Sequence, residues 1–391
     1  MLTVIALLLL IGWGMALNAH SICDFDYFVF CRIRSPLPSL PGSVDYSLSC
    51  AWMTRASLLL VCLWVAADIT QDGKWLLRIW WVIGLAGASI AFLGLLQKAT
   101  GAEMIFWQAP DDDNTKTFFS TYYYHGNAGA YLNLTFPLIS GLAYRYMTRP
   151  RHHVTKAFWL TLLVIHVVAI LSNTSRMSGL IGVSVALVLV TAAAALMIRR
   201  ARDIHWPTVI VGLCVLSVAL WAVTQPSRLD EPLKRWSETQ LGSASGGRWE
   251  ADVAASHSLA RTGTLGFGPG TFSVVFPFFA GAIGDPTQIV WLFLHNDYLQ
   301  TIMEWGWLGS LLWGTVFFGG TIVATRGLLN SGRYWLPRQR LLLSLVLVSL
   351  VGVGTHAAVD FPLQISSIQL YVAVYLGTCW GSEGWGGRRK D

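Results

Sequence analysis

The stretch MSGLIGVSVALVLVTAAAALMI, residues 177–198, contains no charged side chain in 22 residues. A helix of that length crosses the roughly 30 Å hydrocarbon core of a bilayer. Similar apolar segments recur on both sides of it. Together they predict ten membrane spans, near 2–17, 51–70, 76–97, 128–147, 157–172, 177–198, 207–224, 299–325, 339–358 and 363–381.

The composition agrees with a membrane protein. Hydrophobic residues make up 54% of the chain, charged residues 12%, and the mean hydropathy is +0.53. Soluble domains carry about twice that charged fraction. The net charge of +6 does not indicate a nucleic-acid partner, because no basic stripe interleaves with aromatic residues on a soluble domain. We therefore expect an all-α, polytopic transmembrane helix bundle with membrane lipids as neighbours.

Basic residues favour the cytoplasmic side of a membrane and so predict the orientation. With the N-terminus inside, the inside loops hold 16 of the 27 lysines and arginines. Segments 199–206 and 326–340 are then cytoplasmic, and 225–298 is extracytoplasmic. The loop 18–50 is an exception, because it is placed outside although it carries Arg32 and Arg34. The chain is therefore expected to cross its membrane several times.

The organisation expected is one integral membrane domain over 1–391, with the long loop 225–298 as a part of the functional site. Loops of that length are usually functional. Gly246 and Gly247 precede an expected short helix that ends in the glycine-rich run 263–270. Of the six cysteines, three lie in the first outside loop, where one disulfide is permitted. Their spacing gives no metal site.

Two arginines stand at expected helix starts on the outer side. Arg176 follows the turn 172–175, and Arg248 follows Gly246 and Gly247. Exposed amides at a helix start together with a guanidinium form a phosphate-binding arrangement. The structural alternatives are an interfacial arginine for Arg176 and an i,i+4 ion pair with Asp252 for Arg248.

Titratable groups also gather at the outer ends of the spans. His295, followed by Asn296, could accept a proton from a hydroxyl group. Glu304 falls about two turns into a span, and His356 and Asp360 are expected on one helix face. Ionisable groups in a span are costly and often functional. The alternatives are a capping histidine and polar contacts between helices.

Two cations and a base suit one reaction class. Transfer of a glycan from a polyprenyl pyrophosphate requires positive charge near the departing pyrophosphate and a base near the acceptor hydroxyl. It requires no cofactor, and no metal if arginines neutralise the phosphates. The aromatic residues Tyr122, Tyr123 and Tyr124 could stack on sugar rings or form an ordinary interfacial belt.

Four motifs resemble those of the O-antigen ligase and polymerase family of membrane glycosyltransferases. His295-Asn296 is followed after nine residues by Gly306-Trp307-Leu308-Gly309. The segment SNTSRMSG, 172–179, is similar to the family's serine-arginine turn, with Asn173 and Thr174 as departures. The other similar elements are Gly247-Arg248-Trp249 with Gly266-Phe267-Gly268-Pro269-Gly270, and Gly126-Asn127 before a membrane helix. The resemblance covers roughly 118–365.

The resemblance implies a metal-independent glycosyltransferase on the outer, periplasmic face of the plasma membrane. Arg176 and Arg248 would bind the pyrophosphate of an undecaprenyl-linked glycan, and His295 would orient or deprotonate the acceptor, lipid A-core or another glycan. Family members usually have about twelve helices, so eleven or twelve are possible if a segment such as 22–33 holds a weak helix.

Several functions share these motifs, and the residues leave them open. A ligase is preferred, with a polymerase or a protein O-oligosaccharyltransferase as alternatives. A lipid-linked sugar transporter or a structural scaffold would belong to another class. Transporters tend to show internal repeats and interrupted helices near the midplane of the membrane, and the sequence shows neither.

Overall fold

The computed structural model describes residues 1–24, 26–27, 29–109, 117–148, 153–199, 246–282, 291–331 and 335–385. Its longer helices, those of 16 residues or more, are α1 (Leu2–Leu17), α2 (Tyr46–Ile69), α3 (Gly73–Ala99), α4 (His125–Met147), α5 (His153–Ser172), α6 (Arg176–Arg199), α7 (Gly246–Thr262), α8 (Asp297–Arg326), α9 (Pro337–Ala357) and α10 (Ser366–Gly381). Each predicted span except 207–224 coincides with one of them. The span 207–224 lies outside the described residues.

Within the described ranges, six helices are long and apolar enough to cross a membrane: α2, α3, α5, α6, α8 and α9. Helices α1 and α10 have only 16 residues each, and α4 carries polar residues along its length. The all-α, multi-pass class is therefore confirmed, whereas the count of about ten spans is not.

A small β-hairpin replaces the weak helix considered for 22–33. Strand β1 (Ser21–Asp24) pairs antiparallel with β2 (Val29–Arg32), with Ser21 opposite Arg32. The helix expectation was wrong because successive side chains here lie on opposite sides of a short, partly exposed strand, an arrangement that suits a hairpin. The N-terminal residue of α2 is capped by Asp45, whose side chain also accepts a 2.6 Å hydrogen bond from the backbone of Cys23.

The contacts divide the chain into two compact units. The first comprises Met1–Gln71, Gln240–Ser331 and Ala357–Asp391 and contains α1, α2, α7, α8 and α10. In it, α2 packs closely on α10 because small residues face the contact. A Cβ on Gly377 would lie 2.4 Å from the carbonyl oxygen of Leu63. Trp385 donates a 3.1 Å hydrogen bond to the carbonyl of Thr70 and joins the same two segments.

The second unit comprises Asp72–Thr239 and Gly332–His356. Its most buried helix is α4, which packs against α3, α5 and α6. Close contacts again rely on glycine: a Cβ on Gly87 would lie 2.7 Å from Thr135, and one on Gly129 would lie 2.3 Å from Ser178. The indole of Trp80 donates to the carbonyl of Leu138 at 2.7 Å.

Helix α8 is broken at Gly306, where the sequence predicts one continuous span. Gly306 has φ 62° and ψ −170°, a backbone conformation outside the helical region. Only glycine adopts it without strain. The segment from Asp297 to Trp305 is therefore separate from the apolar run that follows.

Candidate functional site

His295 and Asp360 form a hydrogen-bonded pair in the first unit. The Nδ1 atom of His295 lies 2.9 Å from Oδ1 of Asp360. The histidine side chain is 18% exposed and the aspartate side chain 3%. Because a carboxylate can only accept, Nδ1–H donates and the lone pair of the neutral ring lies on Nε2. A histidine held in this tautomer is suited to accept a proton through Nε2.

Aromatic rings hold the imidazole in place. The edge of Trp291 lies against the His295 ring with centroids 5.9 Å apart, and Phe361 approaches it to 5.0 Å. Phe293 packs on Phe361 in turn, at 5.3 Å. These contacts, together with the hydrogen bond to Asp360, restrict the rotation of the ring.

The pairing of Asp360 corrects an expectation. Sequence spacing places Asp360 with His356 on one helix face, but α9 ends at Ala357 and Asp360 lies in the loop beyond it. His356 is a buried residue of the last turn of α9. The error arose because four-residue spacing implies a shared face only while the helix continues.

Asp297 fixes the loop that carries Asp360. Its two carboxylate oxygens accept from the backbone N–H of Leu363 at 2.8 Å and from the side chain of Gln364 at 3.0 Å. Asp297 is buried at the first position of α8, two residues after His295. The sequence analysis missed this role. The signal was present as an acidic residue in the first turn of a helix next to a candidate histidine.

Asn296 and Asp252 complete the polar cluster around His295. Asn296 caps α8 by accepting a 3.2 Å hydrogen bond from the backbone of Leu299. Its side chain also hydrogen-bonds to Asp252 of α7. Burial raises the pKa of the Asp252 carboxyl, while the hydrogen bond from Asn296 and the electrostatic interaction with His295 lower it by smaller amounts. Sequence spacing identified Asp252 only as an alternative partner of Arg248.

Arg248 lies one helical turn before Asp252. The predicted short helix is confirmed as α7, and Arg248 is exposed in its first turn. Ala251, Ala254 and Ala255 of α7 are buried in a core cluster that includes Met303 of α8. Residues four apart on a helix have Cβ atoms roughly 6 Å apart. The structure thus brings the helix turn of Arg248 to the cluster of Asp252 and His295.

Glu304 anchors the glycine-rich segment. Its carboxylate accepts from the backbone N–H of Gly270 at 3.1 Å and of Phe272 at 3.2 Å. Gln300 donates to the same carboxylate at 3.1 Å and accepts from the backbone of Leu294 at 2.9 Å. Glu304 is therefore linked through Gln300 to the backbone just before His295.

Arg176 belongs to the second unit, in the first turn of α6. Asn173 accepts a 2.8 Å hydrogen bond from the backbone of Ser175, and the Ser175 hydroxyl accepts from the backbone of Ser178 at 3.4 Å. These bonds form the tight turn that places Arg176 at the helix start. Arg176 is half-buried.

Asn127 lies beside the same turn. The carbonyl of His125 accepts from Asn173 at 3.0 Å, and that of Gly126 accepts from Ser178 at 3.3 Å. Asn127 is itself buried, and its side-chain oxygen has no hydrogen-bond partner within the part of the chain that the structure describes. The Gly126-Asn127 motif and the serine-arginine turn therefore form one structural element.

Lys98 is a cation that the sequence analysis missed. It lies in the last turn of α3, and its ammonium group donates to the carbonyl of Ser172, where α5 ends. The same ammonium group lies 6.0 Å from the ring centre of Phe119. No sequence signal pointed to this contact, because a lysine after a long apolar run is typical of the membrane interface.

The remaining predictions concern aromatic rings, cysteines and metals. Tyr122 packs on Tyr131, and Tyr123 is 66% exposed; their stacking on sugars stays a prediction.

The cysteines that the structure describes, Cys23, Cys31 and Cys50 among them, are free thiols. Over the described ranges, no three His, Cys, Asp or Glu side chains are grouped so as to hold a metal ion. Metal independence stays a prediction as well.

The fold and this site define a multi-pass, all-α membrane protein with a histidine–aspartate pair beside an arginine-bearing helix. Residues 159–314 match the family model described as O-Antigen ligase, which confirms the resemblance to that family. The match includes Arg176, Arg248 and His295, whereas Asn127 and Asp360 lie outside it. It indicates a membrane protein of the O-antigen ligase or polymerase type. A comparison with curated proteins gives no match.

Proposed function

We propose that the protein is a membrane glycosyltransferase that moves a glycan from undecaprenyl pyrophosphate to an acceptor hydroxyl. The reaction takes place on the outer, periplasmic face of a bacterial plasma membrane. The acceptor is lipid A-core or another surface glycan, as in O-antigen ligation. The observation that carries the proposal is the His295–Asp360 pair in the polar cluster around His295.

The chemistry needs one proton acceptor. Nε2 of His295 takes the proton of the acceptor hydroxyl while its oxygen attacks the anomeric carbon of the glycan. The bond from that carbon to the pyrophosphate oxygen breaks, and the pyrophosphate departs with the bonding electrons. Asp360 does not take the proton. It stabilises the imidazolium and keeps the ring in the required tautomer.

The departing pyrophosphate gains negative charge that must be stabilised. Arg176 and Arg248 supply fixed positive charge at helix N-termini, where backbone amides also favour anions. A preorganised charge contact of this kind typically contributes ~10²–10³ in rate. No cofactor is required for this step, because both bond changes occur on the donor and the acceptor.

The acceptor decides between ligase and polymerase. We expect lipid A-core to be used in preference to a second lipid-linked glycan. The test is reconstitution of the full chain in liposomes with a labelled undecaprenyl-pyrophosphate glycan and each acceptor in turn, lipid A-core, a second lipid-linked glycan or a serine-containing peptide. Product on lipid A-core supports the proposal, and product only on the other acceptors assigns the chain to polymerisation or protein glycosylation. If no glycosylated product forms with any of the three acceptors, the transferase function is contradicted.

A further inference from the structure

A cavity of about 290 Å³ lies inside the first unit, between α2, α8 and α10. Arg55 and Glu304 lie at its polar end, and Leu60, Leu63 and Leu376 form part of its apolar wall. Leu63 follows Arg55 by eight residues on α2, which corresponds to about 12 Å along a helix. The cavity therefore changes from polar to apolar over the length of a short hydrocarbon chain.

Three tryptophans and a serine line this cavity with polar atoms that need partners. The indole N–H groups of Trp52, Trp305 and Trp313 and the hydroxyl of Ser310 are buried and have no hydrogen-bond partner within the described residues. Trp305 is only 1% exposed. The three rings contact one another edge-on, with centroids 5.3 to 6.0 Å apart. Weak N–H···π contacts are second-order and do not replace ordinary acceptors.

Arg55, at the polar end of the cavity, is held by the neighbouring loop. An Nη atom of Arg55 donates to the carbonyl of Gln364 at 3.4 Å and to the hydroxyl of Ser366 at 3.3 Å. Its guanidinium carbon lies 5.7 Å from the ring centre of Trp52. Indole and guanidinium groups thus line the same cavity, with Arg55 lying over the ring of Trp52.

We propose that this cavity binds an acyl chain of a membrane lipid and that the ester oxygens of the lipid accept hydrogen bonds from the indole donors. Indole and guanidinium groups donate only, so the occupant must supply acceptor oxygens next to a hydrocarbon chain. Ester-linked acyl lipids do so. A polyprenyl chain has no oxygen along its length and would leave the indole N–H groups without partners. The proposal goes beyond glycan transfer and holds whether or not that reaction occurs.

The test measures lipid retention by native mass spectrometry of the full-length protein purified in detergent. The probes are a diacyl phosphatidylethanolamine and its dialkyl ether analogue, which lacks the ester carbonyls. The wild type should retain the diacyl lipid roughly fivefold better, as one or two hydrogen bonds predict. Trp305→Phe keeps a ring but loses the donor, so it should reduce that preference. Equal retention of the two lipids by the wild type overturns the proposal.

Two glycine substitutions locate the binding site. Gly314 lines the cavity, and a Cβ there meets nothing closer than Phe318 at 3.8 Å, so Gly314→Leu fills the cavity without disturbing the backbone. Gly14→Leu is the control, because a Cβ on Gly14 of α1 has nothing within 4 Å and Gly14 is not part of the cavity. Loss of diacyl retention only in Gly314→Leu supports the site.

A competition experiment tests whether the cavity binds an isoprenoid chain instead of an acyl chain. Undecaprenyl phosphate is added as a competitor at the same concentration as the diacyl lipid. If it displaces the diacyl lipid from the wild type and its own binding is lost in Gly314→Leu, the cavity holds an isoprenoid chain and the proposal is wrong. Trp305→Phe keeps the test valid if Gly314→Leu lowers the folded yield.

Discussion

Gly266 and Gly306 pack backbone against backbone. A Cβ on Gly266 would lie 2.4 Å from the backbone nitrogen of Gly306, and a Cβ on Gly306 would lie 2.4 Å from the backbone of Thr264. Both glycines have positive φ, 76° and 62°. Leu308 donates across the same contact to the carbonyl of Thr264 at 3.0 Å. Two separate sequence motifs therefore meet in one close backbone contact at the break in α8.

This contact predicts a difference between two neighbouring glycines. Gly266→Ala should lower the free energy of unfolding by roughly 3 kcal/mol, because strain at positive φ adds to a steric clash with the backbone. Gly263→Ala should cost only about 1 kcal/mol, since Gly263 has φ 59° but nothing within 4 Å. The measurement is the denaturation midpoint of both variants in the same detergent. Equal destabilisation would contradict the contact.

The sequence was sufficient for the parts of the fold that depend on local pattern. Apolar length located the membrane helices, and Gly246 with Gly247 located the start of α7. The hairpin was not predictable in the same way, because strands of four residues leave too little alternation to recognise. The break at Gly306 was also missed, since a glycine in an apolar run is common and its φ depends on the packing of Gly266.

The site was predictable as separate residues and not as an arrangement. Arg248, His295 and Asp360 were identified from their residue types and motifs. The pairing of His295 with Asp360 joins residues 65 positions apart, so no local spacing could reveal it. The contacts of Asp297 and Asp252 in this cluster were not predicted either, because they depend on the loop and the side chain that pack against these two residues.

Arg248 is expected to bind the pyrophosphate through its planar fork. Arg248→Lys keeps the charge and loses the bidentate geometry, so donor affinity and transfer rate should fall, the rate by ~10²–10³. Arg261→Lys is the matched control on the same helix, since Arg261 is exposed near its other end and packs over Phe279. Normal donor binding in Arg248→Lys, measured with the labelled glycan lipid, would remove Arg248 from the donor site.

The partly buried carboxyl of Asp252 should make the stability of the folded protein depend on pH. Because burial raises its pKa, the folded protein favours the protonated carboxyl, and this favourable contribution is present at low pH and lost as the pH rises through the folded-state pKa. Asp252→Asn removes the charge with little change of shape. The substitution should therefore raise the melting temperature more at neutral pH than near pH 4. A gain at low pH alone would show that the sign is wrong.

Cysteine labelling tests the orientation. Cys31 is exposed in β2, whereas Cys23 is buried and burial raises the pKa of its thiol, which lowers the reactive thiolate fraction. In single-cysteine proteins, a membrane-impermeant maleimide added from the periplasmic side should label Cys31 and leave Cys23 unmodified. Leu329→Cys, at a position 79% exposed in the loop predicted to be cytoplasmic, should react only after the membrane is permeabilised. The reverse pattern would invert the orientation.

The central claim is that His295 accepts the proton and that Asp360 acts only through it. The most direct measurement is the single-turnover transfer rate of a labelled undecaprenyl-pyrophosphate glycan in His295→Ala, Asp360→Asn and the double variant, with donor binding and melting temperature checked in each. His295→Ala should lower the rate by ~10²–10⁴ and leave donor binding largely intact. The double variant should be no slower than His295→Ala, because the carboxylate has no role once the imidazole is gone. Multiplicative losses in the double variant, or full activity in His295→Ala, would contradict the mechanism.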